Sequence, residues 1–135
     1  MKNLQVVGAI FVQDGKVFAA KRGESRYSYV AYKYEFVGGK VERGEDYPQA
    51  LRRELNEEMA LQVEVVRPYM TVRHTYPDFV VTLHLFICRM LSDYRLLEHV
   101  EAKWLEKCAL HPDEWAPADA PVVAQLVQDL KEGLL

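Results

Sequence analysis

The distribution of hydrophobic and polar positions predicts a chain of strands interrupted by two helices. Residues 24–33 show no clear period and are predicted to be a loop. Asp14-Gly15 is typical of a hairpin turn between two strands, and Tyr76-Pro77-Asp78 is predicted to form a second turn. Six stretches rich in β-branched and aromatic residues are the predicted strands: 4–13, 16–22, 34–37, 62–75, 79–89 and 98–105.

Two segments have hydrophobic residues at helical spacing. The first, residues 47–60, carries one apolar stripe, formed by Leu51, Leu55 and Met59. Asp46 is a suitable N-cap for it, and Pro48 is tolerated in a first turn. The second segment, residues 120–130, presents its apolar side to the sheet through Val122, Val123, Leu126, Val127 and Leu130. Strands interrupted by two helices predict an α/β protein with an α/β/α arrangement of layers.

The chemistry concentrates in the first helix and the residues just before it. A predicted glycine-rich loop at Gly38-Gly39 leads into the helix, which carries Glu54, Glu57 and Glu58 on neighbouring turns. Glu58 projects near Leu51 and should lie at the edge of the buried stripe. Carboxylates in such a place repel each other and lose hydration, so an uncompensated cluster would be unfavourable by several kcal/mol. Mg²⁺ prefers oxygen ligands and bridges carboxylates to phosphates, and the stretch is therefore predicted to be a metal site.

The same residues resemble the Nudix box, G-x5-E-x7-R-E-U-x-E-E-x-G-U, in which U is aliphatic. Gly39, Glu45 and the run from Arg53 to Leu61 match every specified position except one, because Ala60 replaces the penultimate glycine. That glycine ends the helix in a left-handed turn, so alanine there should cost about 1 kcal/mol or shift the helix end without removing a ligand. An exposed acidic helix would explain the carboxylates but not Gly39, Glu45 or Arg53.

The resemblance to the Nudix hydrolase family covers nearly the whole chain and implies one domain, residues 1–135. It implies the Nudix fold, an α/β/α sandwich with a mixed β-sheet. It also implies the metal ligands: Glu54, Glu57, Glu58 and the backbone carbonyl of Gly38. Glu98, six residues before Trp104, is placed like a late glutamate that binds metal or acts as a base in near relatives. Either Glu54 or Glu98 is the expected general base, and the alternative for Glu98 is an exposed residue at a strand edge.

Three further residues are assigned roles by the same resemblance, and Lys40 is a fourth candidate from its position after the glycines. Glu45 and Arg53 are expected to form an ion pair that orients the catalytic helix, and both are counted with the catalytic residues; loss of one would leave the other partly buried and unpaired. Arg22, at the end of its strand, resembles a phosphate-contacting arginine, although a solvated strand end would look the same. Lys40 could reach a phosphate or extend into water.

The segment before the last helix, Trp115 to Val122, resembles the base-reading segment in the branch that contains the oxidised-dGTP sanitising enzyme and the CTP pyrophosphohydrolases. Asp119 stands where the sanitising enzyme has asparagine, as in the CTP-type branch. An ionised aspartate only accepts hydrogen bonds, so it suits the exocyclic amine of cytosine or adenine and repels the keto oxygen of guanine unless it is protonated. The alternative is that Asp119 caps the last helix. Candidate aromatic walls for a base are Tyr29, Tyr32, Phe36 and Phe79.

Composition limits the partners. The chain has 135 residues, half of them hydrophobic, which suits one domain with a substantial core. A net charge of −3 gives no electrostatic case for duplex nucleic acid. The sequence has no signal-peptide pattern or long apolar run, so we expect a cytoplasmic protein without a membrane partner. Cys88 and Cys108 have no metal-ligand spacing and are predicted to be buried thiols in a reducing compartment. A monomer and a homodimer fit equally well.

The sequence thus predicts an enzyme with a small nucleotide as its substrate. The expected reaction is hydrolysis of a (deoxy)nucleoside triphosphate to monophosphate and pyrophosphate with Mg²⁺, or with Mn²⁺ in its place. CTP, dCTP or an oxidised deoxynucleotide is the expected substrate, which would make the enzyme a nucleotide-pool sanitiser. Two alternatives stay open: hydrolysis of ADP-ribose or another nucleoside diphosphate derivative, and a non-hydrolytic nucleotide sensor. The complete set of three glutamates argues against the sensor.

Overall fold

The computed structural model of the protein describes all 135 residues. Two single-turn 3₁₀ helices, Lys107–Ala109 and Pro112–Glu114, precede the last α-helix. The regular elements in chain order are β1 (Lys2–Ile10), β2 (Val12–Gln13), β3 (Lys16–Lys21), β4 (Tyr34–Glu35), β5 (Val37–Lys40), α1 (Tyr47–Met59), β6 (Val63–Thr75), β7 (Phe79–Met90), β8 (Glu101–Glu106) and α2 (Ala120–Lys131).

The strands form two sheets. The larger sheet has the order β5-β1-β7-β6, in which β1 and β7 are parallel and the other neighbours antiparallel. In the smaller sheet β3 pairs antiparallel with β2, β4 and β8. The larger sheet is therefore mixed, as predicted. The register of β6 against β7 shifts twice, between Val65 and Arg67 and between Pro68 and Met70.

Two apolar clusters lie on the two sides of the larger sheet. One contains the buried side of α1, namely Ala50, Leu51, Leu55 and Met59, packed with alternate residues of β1 such as Val7 and Ala9. The other contains the buried side of α2, namely Val122, Val123 and Leu126, with Val127 and Leu130 packed against its edge. Because each helix covers a different face of the sheet, the predicted α/β/α layering is confirmed.

The first and third predicted strand segments are each divided in the structure. The chain bends at the buried Phe11, so one predicted strand becomes β1 in the larger sheet and β2 in the smaller. A second bend at Phe36 separates β4 from β5 in the same way. Both bends join the two sheets, and the space between these sheets holds the site described below. Hydrophobic alternation does not show where a chain changes sheets, because both strands remain extended.

The prediction of a glycine-rich loop at Gly38-Gly39 is wrong, because both residues lie in β5 and pair with β1. Gly38 faces Gly8 in the register and has a φ of 156°. A Cβ at Gly38 would come within 1.9 Å of the Val7 carbonyl oxygen, so only glycine fits. The glycines therefore allow two backbones to approach each other closely, and the loop begins after Lys40.

The last predicted strand begins later than expected, at Glu101 instead of Glu98. Its partner β3 ends at Lys21, which pairs with Glu101 and leaves nothing for Glu98 to pair with. One cysteine prediction is also wrong: Cys88 is buried, whereas Cys108 lies exposed in the 3₁₀ turn after β8. Neither α-helix is long and apolar enough to cross a membrane.

Both ends of α1 follow the sequence closely. Asp46 caps the first turn by accepting a hydrogen bond from the Gln49 amide, and the Gln49 side chain accepts one from the Asp46 amide. At the other end Ala60 has a φ of 48° and a ψ of 35°, the left-handed conformation that glycine favours. The alanine thus keeps the expected helix end at an energetic cost, and it does not shift it.

Candidate active site

A cleft of about 530 Å³ lies between the two sheets and the start of α2. It brings together six of the residues predicted for the site: Arg22, Gly38, Lys40, Glu58, Glu98 and Asp119. The other four, Glu45, Arg53, Glu54 and Glu57, do not line the cleft itself but belong to one ion-pair network between α1 and the end of β5. The site therefore has an acidic end at α1 and a second end at Asp119.

Arg53 is the centre of the ion-pair network. Its Nε and Nη2 donate to the two carboxylate oxygens of Glu45, at 2.6 and 2.9 Å, in a bidentate pair. Nη2 also donates to the Lys40 carbonyl at 2.9 Å, which ties the helix to the end of β5. The predicted Glu45–Arg53 pair is thus present, and hydrogen bonding from Arg53 lowers the pKa of Glu45.

The same guanidinium holds two of the predicted metal ligands. Arg53 Nη1 donates to Glu54 Oε1 at 2.9 Å and to Glu57 Oε2 at 3.2 Å. Glu54 packs so closely on β5 that a Cβ at Gly39 would lie 2.3 Å from Glu54 Oε2, whereas Glu57 is exposed. No three of the His, Cys, Asp and Glu side chains are gathered closely enough to form a ready cation site. Arg53 keeps Glu54 and Glu57 on its own side, apart from Glu58.

Glu58 has the environment of a cation ligand. Its carboxylate is half-buried against β5, and its Oε2 is buried without any hydrogen-bond partner. Burial, followed by the negative charges of Glu35, Glu98 and Glu54, raises the pKa of Glu58 to about 8, against a weaker lowering by the Gly38 amide. A buried carboxylate oxygen with no donor, surrounded by other carboxylates, is stabilised by a bound cation. The residues present therefore fit a divalent metal ion.

Glu98 lies on the rim of the acidic end. It is exposed, in the irregular segment that precedes β8, and close enough to Glu58 to raise the pKa of that group. Backbone hydrogen bonds dock this segment on both sides: the Leu97 amide donates to the Glu58 carbonyl at 3.2 Å, and the Val100 amide to the Lys21 carbonyl at 3.0 Å. Glu98 is thus held between α1 and β3, outside any strand.

The opposite end of the cleft is formed by Asp119, which is only 7% exposed. Its side chain makes no capping hydrogen bond to α2, so the helix-cap alternative is wrong. Instead Asp119 Oδ1 accepts a hydrogen bond from the Phe36 amide at 3.3 Å. Burial and then the charge of Glu35 hold the pKa of Asp119 well above its usual range. A polar side chain directed away from its helix and into a cleft is free to contact a ligand.

Arg22 and Lys40 occupy the two sides of the cleft between these ends. Arg22 Nη1 forms an ion pair with Glu35 Oε1 at 3.3 Å and remains about half exposed. Lys40 is exposed at the end of β5. Lys2 and Arg26 add two further basic side chains to the lining. These four basic side chains lie among six acidic ones in the lining, so the cleft offers basic groups at defined positions and no net positive charge.

Aromatic side chains form the wall next to Asp119. Of the candidates from the sequence, Phe36 and Phe79 line the cleft, whereas Tyr32 is 62% exposed and lies outside it. Tyr29 stacks between two other tyrosines, with its ring centroid 4.8 Å from that of Tyr76 and 5.5 Å from that of Tyr27. Tyr27 and Tyr76 are the members of this stack that line the cleft.

Sequence reasoning missed two polar residues in the middle of the cleft. Glu35 is the common partner of Arg22 and of His99, whose Nε2 lies 3.0 Å from Glu35 Oε2. Glu35 also raises the pKa of both Glu58 and Asp119, which places its charge between the two ends. Glu35 precedes Phe36 and Gly38 in the strand that enters the motif, and this position was the available signal. His99 carried no signal except its position beside Glu98.

An acidic helix at one end, a buried acceptor and aromatic rings at the other and basic residues between them define a cleft suited to a phosphorylated small molecule. Comparisons with known proteins agree with this description. Residues 1–126 match the NUDIX domain. The chain therefore belongs to the NUDIX family and is a Nudix hydrolase, as the motif predicted.

Several relatives have names that state an activity. An 8-oxo-dGTP diphosphatase of Escherichia coli K12 is 32% identical over 128 residues, which cover 93% of this chain and 98% of the relative. A CTP pyrophosphohydrolase of the same organism is 33% identical over 126 residues, or 91% of this chain and 90% of the relative. The solution structure of the E. coli ORF135 protein superposes with a TM-score of 0.81 at 31% identity, covering 96% of this chain and 91% of that one.

Proposed function

We propose that this Nudix hydrolase is a Mg²⁺-dependent pyrophosphohydrolase that cleaves a (deoxy)nucleoside triphosphate to the monophosphate and pyrophosphate, with Mn²⁺ able to replace Mg²⁺. The observation that carries the proposal is the buried, unpartnered oxygen of Glu58 in a cleft whose other end is the buried carboxyl of Asp119. The two relatives named above, an 8-oxo-dGTP diphosphatase and a CTP pyrophosphohydrolase, support this class of substrate.

The metal would be held by the acidic end of the cleft. The proposed ligands are Glu54, Glu57, Glu58 and Glu98, with the backbone carbonyl of Gly38. When bound, a divalent ion neutralises phosphate charge and lowers the pKa of a coordinated water. Glu54 and Glu57 would have to turn from Arg53 toward Glu58, and the bidentate contact of Arg53 with Glu45 does not involve either of these two side chains. Arg53 and Glu45 therefore orient the helix and its ligands.

The proton of the attacking water needs an acceptor, and Glu54 and Glu98 are the two carboxylates that we propose for this role. Glu54 lies against Gly39 at the inner end of the ion-pair network, where the charge of Arg53 keeps it oriented. Glu98 lies at the rim beside Glu58. Both remain candidates for the general base. Arg22 and Lys40 contact the phosphates in this proposal, and their positions on the two sides of the cleft suit an extended triphosphate.

Asp119 would read the base. In its ionised form it accepts a hydrogen bond from an exocyclic amine, which favours cytosine, and hence CTP or dCTP. Its raised pKa gives it a second form, because a protonated carboxyl donates to a keto oxygen such as that of an oxidised guanine. Phe36 lines the adjoining wall and offers a ring face for stacking.

A nucleotide panel tests the proposal. CTP, dCTP, 8-oxo-dGTP and ADP-ribose are compared with Mg²⁺, and released phosphate is measured. Inorganic pyrophosphatase is the coupling enzyme for the triphosphates, whereas alkaline phosphatase is used for ADP-ribose, because its cleavage yields phosphate monoesters and no pyrophosphate. We expect turnover of at least one of the triphosphates to exceed that of ADP-ribose, because the cleft offers basic side chains along a polyphosphate. Faster cleavage of ADP-ribose would indicate that the enzyme is instead a hydrolase of nucleoside diphosphate derivatives. No turnover of any compound would leave a nucleotide-binding domain without hydrolytic activity.

The Asp119→Asn variant tests the base-reading role separately. Asparagine keeps the acceptor for the Phe36 amide and always offers a donor, so the preference should move from amine-bearing toward keto-bearing bases. We expect the ratio of kcat/KM for dCTP to that for 8-oxo-dGTP to fall about tenfold, which corresponds to roughly 1.4 kcal/mol. An unchanged ranking would remove Asp119 from base recognition.

A further inference from the structure

His99 is a buried polar side chain that the proposed reaction does not use. Its side chain is 4% exposed and lines the cleft one residue after Glu98. Nε2 lies 3.0 Å from Glu35 Oε2, and Nδ1 is buried without a partner. Because a carboxylate is the only partner of the ring, Nε2 carries a proton and donates to Glu35.

The segment that carries Glu98 has few other side-chain attachments. It is irregular from residue 91 to residue 100 and is docked by backbone amides, those of Leu97 and Val100 among them. Several of its apolar side chains face solvent: Leu91 and Leu97 are 58% and 56% exposed, and Val100 is 61% exposed. Tyr94, whose ring packs edge to face on Phe18 with centroids 5.1 Å apart, is the main apolar attachment of the segment, and the buried His99 side chain is the anchor that reaches the cleft.

The partner of this anchor is itself fixed. Glu35 is 18% exposed, lies in β4 opposite Ala20 of β3, and is also bound by Arg22. Because Glu35 is fixed in the smaller sheet, its hydrogen bond with His99 fixes the position of the Glu98 segment relative to that sheet. It also sets the orientation of the carboxylate that binds Arg22.

We propose that His99 is a positioning residue, which fixes the Glu98 segment against the cleft through its hydrogen bond to Glu35 and thereby places Glu98 beside Glu58. The consequence for metal binding rests on the proposed function, whereas the consequence for the segment itself does not. Loss of the anchor frees the segment, so Glu98 spends less time at the metal end.

The test compares His99→Phe, which keeps a ring but removes both nitrogens, with His99→Gln, whose amide can still donate to Glu35. His111→Phe is the matched control, because His111 is exposed and lies outside the cleft. Two quantities are measured on the full chain: the hydrogen-exchange rates of the Leu97 and Val100 amides, and Mn²⁺ affinity by electron paramagnetic resonance. Glu58→Gln serves as the reference for a lost metal ligand.

We expect His99→Phe to exchange both amides faster and to bind Mn²⁺ about tenfold more weakly, with His99→Gln recovering most of each effect and His111→Phe unchanged. Parental exchange rates in His99→Phe would overturn the proposal, and so would equal losses in the Phe and Gln variants, since these would indicate loss of packing alone. If neither the parent nor Glu58→Gln binds Mn²⁺, the proposed function fails, and the exchange rates alone decide the role of His99.

Discussion

The two ends of the cleft are built in different ways. At the acidic end Glu54, Glu57 and Glu58 lie within five residues of one helix, and Arg53 of the same helix pairs with Glu45 just before it. At the other end Asp119 meets the Phe36 amide across 83 positions of sequence. One end is a property of a local segment, whereas the other exists only once the sheets and α2 have packed together. The acidic end, formed by one local segment, suits the chemistry common to all substrates. The Asp119 end, formed by distant segments, suits recognition of one base.

The largest expected effect is at the acidic end. Glu57→Gln removes the charge of a proposed ligand and keeps its volume, and the side chain is exposed, so the fold should be retained. We expect kcat to fall by a factor of about 100 or more in Mg²⁺, measured on the best substrate of the panel. Glu132→Gln, an exposed glutamate at the end of α2, is the control and should be near parental. Near-normal activity of Glu57→Gln would remove it from the metal site.

A smaller effect, on the stability of the protein, is expected at the Asp119 end of the cleft. The folded-state pKa of Asp119 is raised by burial and by Glu35, against the lowering effects of the Phe36 amide and Arg22. A group with a raised folded pKa contributes stability below its unfolded pKa, near 4, and loses it as pH rises. Asp119→Asn has no such group, so its free energy of unfolding relative to the parent should increase from pH 4 to pH 8.

Urea denaturation of both proteins at several pH values measures this difference, and taking the difference cancels the ionisations they share. If the difference in free energy of unfolding is constant across the pH range, the surroundings of Asp119 do not raise its pKa in the folded protein. This result would also remove the protonated form that we invoke for recognition of a keto oxygen.

The smallest effect concerns the end of α1. Ala60 adopts a left-handed conformation that glycine occupies without a Cβ penalty, so Ala60→Gly should raise the free energy of unfolding by about 1 kcal/mol. Ala60 is exposed and outside the cleft, and kcat should be unchanged. Thermal or urea unfolding provides the measurement. A destabilised Ala60→Gly would show that the entropy of glycine in the unfolded chain outweighs the strain at this helix end.

The features that could be predicted from the sequence are mainly the local ones, whereas those that depend on the packing of distant segments could not be predicted. The sequence could predict both helices, the two ends of α1 at Asp46 and Ala60, the mixed sheet and the Glu45–Arg53 pair, because local spacing determines each of them or a long motif specifies it. The sequence could not predict that the chain passes from one sheet to the other at Phe11, because a bent strand and a straight strand have the same alternation of hydrophobic and polar residues. Gly38 could be identified as a special position, although the reason is close backbone contact in a strand and not a loop.

The polar centre of the cleft was beyond sequence reasoning for a physical reason. Glu35 and His99 are 64 positions apart and meet because β3 pairs with both β4 and β8. Neither residue has a spacing that marks it, and the partner of each is decided by topology. Asp119 was found through its resemblance to a base-reading position, and its failure to cap α2 became visible only in the structure.

The central claim is that a divalent cation and a base occupy opposite ends of one cleft. A crystal structure with Mg²⁺ and a non-hydrolysable analogue of the best triphosphate tests it most directly. We expect the ion among Glu54, Glu57, Glu58 and the Gly38 carbonyl, the phosphates toward Arg22 and Lys40, and the base against Asp119. Glutamates that face open solvent with no ion beside them, or a base bound away from Asp119, would contradict it.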